Sequence, residues 1–208
     1  MKRVSVCLLS LIVLVPSLAL AQEGPWMIRA RGVYISTADK SDAIPALGVP
    51  VDVITVSKKL IPEVDITRFF GKNFAAELIL TYPQKHDVEL SGTKLGTFKH
   101  LPPVLSLQYH FSPEANVRPY LGVGANLTLI SNVALAVPGV GALDLDDYSV
   151  GVSGQAGVDF KISPKMFFNV DVKYVTLGSD VFLKASGAKV SRVTINPWLL
   201  GAGFGYRF

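Results

Sequence analysis

Alternation with a period of two constrains this chain more than any other feature. From Trp198 the even positions read Trp198, Leu200, Ala202, Phe204, Tyr206 and Phe208, while the odd ones read Leu199, Gly201, Gly203, Gly205 and Arg207. A segment with one large apolar face and one face of glycine and charge is a strand whose two sides meet different surroundings. The pattern recurs at residues 26–34, 63–67, 76–82, 100–111, 120–129, 148–160 and 168–174. The expected fold is therefore all-β, with eight strands.

The connections alternate too. Short, turn-like links follow the second, fourth and sixth strands: Phe70-Gly71-Lys72-Asn73, residues 112–117 and residues 161–165. Long connections, expected as loops, follow the first, third, fifth and seventh strands at residues 37–52, 83–97, 132–146 and 176–189. Short turns at one end and long loops at the other are the layout of an eight-stranded antiparallel transmembrane β-barrel, with both termini at the short-turn end.

A soluble barrel of lipocalin type has the same strand number, but its apolar face points inward. Three features place lipid outside instead. A glycine-rich face with scattered charges suits the narrow interior of an eight-stranded barrel better than a water-facing coat. Aromatic residues, among them Trp26, Tyr34, Tyr82, Tyr109, Tyr148, Trp198 and Tyr206, sit near the ends of the apolar face, as interfacial girdles do. The chain also ends on Phe208 after alternating aromatics, the terminal pattern that the barrel-assembly machinery reads in bacterial outer-membrane proteins. A membrane helix over residues 119–143 is excluded by the period and by Gly122, Gly124, Asn126 and Pro138.

Residues 1–21 read as a secretory signal: a basic start at Lys2-Arg3, an apolar run over residues 4–18 and an Ala19-Leu20-Ala21 cleavage site. The expected division is a signal peptide over 1–21 and a barrel over 22–208, located in the bacterial outer membrane. Removing the signal leaves a near-neutral, cysteine-free remainder. That composition excludes a disulfide scaffold and a nucleic-acid binder. No cofactor or metal cluster is expected, and no catalytic residue. The histidines, His86, His100 and His110, have no suitably spaced serine; His100 and Ser106 lie about 20 Å apart along a strand.

Specific residues carry a family likeness. His100-Leu101-Pro102-Pro103, Gln108, Phe111, Arg118-Pro119-Tyr120 with Gly122 and Gly124, Gly154-Gln155-Ala156-Gly157-Val158-Asp159, Asn196-Pro197-Trp198 and Gly205-Tyr206-Arg207-Phe208 resemble the OmpW family of outer-membrane proteins. The resemblance implies an eight-stranded barrel with an apolar upper lumen, a passage or receptor for small hydrophobic molecules, with release sideways into the membrane through the wall. It also implies a constriction, placed here at Ile79 and Lys173. Ile79 is apolar as the family's residue is, whereas Lys173 is not.

The inward-facing set contains Arg29, Arg31, Lys173 and Arg207 against Glu63, Asp65, Glu77, Asp159 and Asp171. In a narrow lumen such charges must pair. They read as a structural plug, with a selectivity ring as the other reading. Pro102 and Pro103 interrupt a strand and remove ladder donors, which predicts either a bend or a lateral opening. Leu47, Val49, Val137, Val140 and Leu143 lie in unusually apolar connections and are the expected lining of a greasy mouth. The partners this implies are outer-membrane lipid and small hydrophobic solutes. The competing functional class is a structural, adhesion or phage- or bacteriocin-receptor barrel without transport. A lipid-modifying barrel enzyme is the third class.

Overall fold

A computed structural model describes residues 23–37, 40–43 and 50–208. Residues 1–22, on which the expected signal falls, and Leu47 and Val49 lie outside the described residues. The described chain forms fifteen strands: β1 (Trp26–Ser36), β2 (Lys40–Ser41), β3 (Ile54–Val56), β4 (Lys59–Phe70), β5 (Phe74–Leu80), β6 (Gln84–Leu90), β7 (Thr93–Leu101), β8 (Val104–His110), β9 (Val117–Val137), β10 (Gly141–Leu145), β11 (Tyr148–Lys161), β12 (Met166–Val175), β13 (Gly178–Leu183), β14 (Lys189–Thr194) and β15 (Trp198–Arg207).

These strands make eight staves of a two-storey barrel. In the lower storey β1, β4, β5, β8, β9, β11, β12 and β15 pair antiparallel in that order, and β15 returns to β1. The closing seam runs from Met27↔Arg207 to Ser36↔Trp198. Below it, Trp26 N donates to Phe208 O (3.1 Å) and Phe208 N to Trp26 O (2.8 Å). Closure is what permits strands to cross hydrocarbon, where an unpaired peptide group costs several kcal/mol. In the upper storey the order is β3, β6, β7, β9, β10, β13, β14, β2, with β9 alone running unbroken through both.

Three of the long connections expected as loops, 83–97, 132–146 and 176–189, are thus half strand or more, a correction to the sequence reading; in 37–52 the described strand is β2. The physical reason is an inversion of faces. In the lower storey apolar side chains point out: Leu107, Val123 and Leu200 are 65, 70 and 54% exposed, while Arg29, Asp65 and Glu77 are buried. In the upper storey Ile54, Val56, Val88, Phe98, Leu135, Leu143 and Val181 pack inward as one cluster, and Thr55, Lys85, Lys94 and Arg192 point out. On β9 the change happens at Asn132, which takes a left-handed φ of 51°. The odd positions Leu121, Val123 and Leu127 face out below it, and the odd position Leu135 faces in above it. A one-residue slip turns every following side chain to the other face.

The outward aromatics form two girdles. Trp26, Phe74, Tyr109 and Tyr206 lie near the short-turn end, and Tyr34, Tyr82, Tyr148 and Trp198 at the boundary between storeys. Eight residues separate Trp26 from Tyr34, which at about 3.4 Å per residue and about 40° of tilt is roughly 20 Å of height, near that of an outer-membrane apolar band. Lipid therefore surrounds the lower storey and water the upper one.

The inversion predicts opposite tolerance at two outward positions of one strand. Val123→Lys is expected to destabilise the barrel by about 2–4 kcal/mol, as charges do at the middle of the lipid face. Ala136→Lys, outward in the upper storey, is expected to leave the midpoint of urea unfolding in phospholipid vesicles unchanged.

Candidate functional site

The lumen is layered. At the bottom the Glu23 carboxylate accepts hydrogen bonds from Arg118 (2.6 and 2.8 Å), Lys161 (2.7 Å) and Arg207 (3.0 Å). Arg207 also donates to Gly24 O and lies over the Phe69 ring, 3.8 Å from its centroid. Partial burial works to raise the Glu23 pKa, but the bonds from Arg118 and Lys161 and the charges of Arg118 and Arg207 outweigh it and hold the pKa down at about 2. Met27, Phe69, Ala75 and Phe167 form a small apolar layer above this latch.

Next comes a plate of charge. Arg29 bonds Asp159 (2.7 Å), Asp65 (3.2 Å) and Glu77 (3.2 Å). Arg31 forms ion pairs with Glu63 (2.8 Å), Asp65 (2.9 Å) and Asp171 (3.0 Å). Lys173 donates to Glu63 (2.8 Å) and forms an ion pair with Asp171 (3.0 Å). Neutral donors answer the excess of carboxylates: Gln155 donates to Glu77 (2.9 Å) and Asn169 to Asp159 (2.8 Å). The glycines opposite make room for these chains. A Cβ on Gly157 would overlap the Tyr120 ring, and one on Gly201 the Asp171 carboxylate.

The structure brings together Arg29, Arg31, Lys173, Glu63, Asp65, Glu77, Asp159 and Asp171 in one network. It does not bring Arg207 into direct contact with those carboxylates; Arg207 belongs to the Glu23 latch below. That is a correction, and its cause is height: Arg207 pairs with Met27 at the end of the closing seam, beneath Arg29 and Arg31. Arg118 and Lys161 continue the inward parity of β9 and β11 just past the segments read as alternating, 120–129 and 148–160, and Glu23 precedes β1, so none of the three stood in the inward set drawn from the sequence.

Above the plate two cavities adjoin. The lower, about 660 Å³ of space with its mouth included, is lined by Ile79, Lys173, Pro102, Thr81, His86 and His100 among others. The upper, about 610 Å³ counted the same way, is lined by Ile54, Leu135, Leu143, Leu145, Val181 and further aliphatic residues. Val56, Phe98, His100, Leu177 and Ile195 border both. Leu143 lies inside the upper cavity wall, Val137 is partly buried against the upper cluster, and Val140 is partly buried at the turn that follows β9. Ile79 and Lys173 do share one cavity, with Lys173 held to the plate by its carboxylates.

Beside the lower cavity the wall is parted. Between the second and third staves the register is the same above and below, Val64↔Leu80 and Val56↔Val88. Residues 58–63 face residues 81–86 in between, and no backbone–backbone hydrogen bond joins them among the described residues. Side chains cross instead: Thr81 Oγ1 donates to Pro62 O (2.9 Å) and Lys59 Nζ to Lys85 O (3.0 Å). Between the third and fourth staves pairing stops at Ile79↔Val104 and resumes one residue out of register at Gln84↔His100. Pro102 and Pro103 keep their register with β9, where Leu127 N donates to Pro103 O (3.2 Å). Neighbouring residues of a strand point their polar groups to opposite sides, so Pro102 faces the third stave, and there its missing N–H removes a rung. Pro62 and Pro83, whose positions inside or beside alternating segments carried the same signal, flank the gap as well.

Among the described residues no group of three or more His, Cys, Asp or Glu is arranged to hold a metal ion.

Comparison with known proteins gives a consistent result. The sequence matches the OmpW family over residues 22–208. It is 40% identical over 207 residues to the uncharacterized outer-membrane protein y4mB of Sinorhizobium fredii, covering 93% of this chain and 86% of that protein. It is 32% identical over 200 residues to outer membrane protein W of Vibrio cholerae, covering 90% of each. Among solved structures, OprG from Pseudomonas aeruginosa superposes with a TM-score of 0.75 at 26% identity, covering 90% of this chain and 98% of that one. Outer membrane protein AlkL in DMPC bilayers shares the fold, with a TM-score of 0.72 at 20% identity over 94% and 95% of the two chains.

The plate and the latch generate separate predictions. Arg29→Met leaves Asp159 without a cation and takes one of two cations from Asp65 and Glu77, and is expected to cost about 3–5 kcal/mol in urea unfolding, whereas Lys72→Ala, which removes an exposed pair with Glu114, leaves the midpoint in place. For Glu23 the folded pKa lies below the unfolded one. Its contribution is complete above about pH 4.5 and is lost as pH falls toward 2. Glu23→Gln is expected to flatten acid destabilisation across that window, read from unfolding midpoints at stepped pH.

Proposed function

The chain belongs to the OmpW family of outer-membrane proteins, and from that premise we propose that it takes up small, mostly apolar molecules from outside the cell and releases them sideways into the membrane. One observation carries the reading. An apolar cavity stands directly on a plate of paired charges, and the wall beside it lacks its ladder.

Each layer has a physical consequence for cargo. The upper cavity offers aliphatic surface, and each Å² of apolar solute surface it removes from water is worth about 25 cal/mol. Descent through the plate would require breaking ion pairs buried from solvent, at several kcal/mol for each charge left unpaired. The parted wall offers a lower route. Its two edges are held by side chains rather than by the main-chain ladder, and the hydrocarbon outside is as favourable to an apolar solute as the cavity is. Thr81, Tyr82 and Pro83 form the free segment, with Tyr82 52% exposed on the outer surface. Pro102 and Pro103 mark the opposite edge, and Ile79 the floor.

Covalent chemistry has no support in the geometry. Ser57 Oγ lies 3.4 Å from His86 Nδ1, but that nitrogen is bonded to the Ser57 carbonyl at 2.9 Å. It therefore carries the proton and cannot act as the base for Ser57. Ser57 Oγ is instead an acceptor for Asp87 N (3.2 Å).

Purified protein in phospholipid vesicles is expected to take up a fluorescent alkane-like solute, with Leu143→Asp reducing uptake at least about fivefold. Sugars are expected not to swell the same vesicles, and swelling at porin rates would overturn the closed plate. Pro83→Val with Pro102→Val restores donors at the seam. It is expected to slow uptake several-fold while binding in the cavity is retained; unchanged uptake would remove the lateral route.

A further inference from the structure

Two buried histidines in the lower cavity have a nitrogen with no partner. His86 and His100 are 1% and 7% exposed, and their rings stack at 4.8 Å between centroids with 24° between planes. Phe98 stacks on both, at 5.9 and 6.0 Å. Among the described residues His86 Nε2 and His100 Nδ1 make no hydrogen bond. Both side chains line the cavity beside the parted wall, together with Thr81 and Pro102. A buried polar atom left without a partner costs about 1–3 kcal/mol, so this pair is a site awaiting a polar group in an otherwise aliphatic chamber.

The protonation state of His86 defines what that group must do. Nδ1 is bonded to a carbonyl, Ser57 O, at 2.9 Å and so is the N–H of the neutral ring. Nε2 is then a lone-pair acceptor and calls for a donor. His100, stacked on it, likewise leaves its Nδ1 without a partner. A hydroxyl can answer either nitrogen whatever its role, because it has one O–H to give and two lone pairs to receive. An ether oxygen cannot donate, and neither can an ionised carboxylate. We propose that His86 and His100 form a head-group site for a hydroxyl-bearing amphiphile, an aliphatic alcohol whose tail occupies the apolar cavity above. This inference rests on the cargo reading and narrows it to a chemical class.

The arrangement also explains placement. Phe98 and His100 border both cavities, so a head held at the imidazoles leaves its tail in the upper one. The same head lies next to Thr81 and Pro102, at the edge through which cargo leaves. The rings give orientation as well as affinity: their stack with Phe98 locks the two nitrogens in fixed directions, so little side-chain freedom is lost on binding.

Two isomers of one formula test it. Decanol and methyl nonyl ether have the same atoms and nearly the same apolar surface, but only decanol donates a hydrogen bond. Each is titrated against an N-phenylnaphthylamine probe bound to the full-length protein in phosphatidylcholine vesicles, at about pH 8, where imidazoles are neutral. Concentrations are referred to partition into protein-free vesicles. Decanol is expected to displace the probe at about tenfold lower concentration, the worth of one or two neutral hydrogen bonds. His86→Phe with His100→Phe keeps the ring stack and is expected to bring the isomers within about twofold, with the ether unchanged. His86→Gln, which retains a donor and an acceptor, is expected to keep most of the preference. Equal displacement by the two isomers in the natural protein overturns the head-group site alone, since water then satisfies the imidazoles. A preference that survives the double substitution overturns it too. Displacement by neither isomer overturns the cargo reading and this inference with it.

Discussion

A barrel that stands partly in hydrocarbon and partly in water must exchange its faces where it leaves the membrane, and the rest of this structure follows from how that exchange is made. In the lower storey lipid takes the bulky side chains and the lumen takes the charges. In the upper storey water takes the charges and the lumen takes the aliphatic residues of the core cluster. Two lumens of opposite character are therefore stacked on one axis. The charged one is narrow and cross-linked by ion pairs, so it is closed. The apolar one has no internal partners to fill it completely, so it is a cavity. The boundary between them, at Ile79, Glu63 and Lys173, is where the candidate site lies because there an apolar chamber has a polar floor.

The parted wall is a geometric consequence of the same exchange. Side chains alternate strictly along a strand, so faces swap without a change of residue type only if one residue is slipped. The second and third staves both slip. Below, the odd positions Glu63, Asp65, Ile79 and Glu77 point in; above, the even positions Ile54, Val56, His86 and Val88 do. Because the two slip together, their mutual register is conserved across the gap. The third loses register with the fourth, which is seen as the one-residue offset between Ile79↔Val104 and Gln84↔His100. A slip needs local freedom from the ladder, and Pro62, Pro83 and Pro102 supply it by having no N–H to give. In a membrane such freedom is tolerated only where the opened backbone borders a cavity or protein rather than lipid. The lower cavity meets that condition.

Much of the lower storey was legible in the sequence, because there the apolar face is continuous and the inward face reads as glycine and charge. Trp198 to Phe208 shows the alternation residue by residue, and the structure reproduces its faces, with Phe204 56% exposed and Arg207 buried. The upper storey was not legible. Its strands are short, such as Ile54–Val56 and Gly141–Leu145, and bulges at Gly96 and Asn132 break their period. Apolar residues there mark the opposite face from those below, so a reader following one parity sees a greasy loop. The ion-pair network could be drawn up from parity alone, but not its division by height. Arg207 shares the inward face with Arg29 and Arg31, and only the closing register shows that it sits a layer lower, with Glu23. The parted seam was half visible: two consecutive prolines announced it at Pro102 and Pro103, while the gap beside the second stave required knowing which residues face one another.

Closure at the bottom and weakness at the side are linked in energy as well as in geometry. The plate holds five carboxylates against three cations in a space shielded from water, so loosening it exposes like charges to one another as well as to solvent. That makes the lower lumen stiff. The seam above it has lost ladder bonds and is crossed by Thr81 and Lys59 alone among the described side chains along residues 58–63 and 81–85. Local opening follows the least-supported backbone, and here that backbone lies between an apolar chamber and the membrane. With a stiff floor beneath a weak wall, the seam and not the plate is where the chamber's boundary yields first, because that is where the hydrogen bonds are missing.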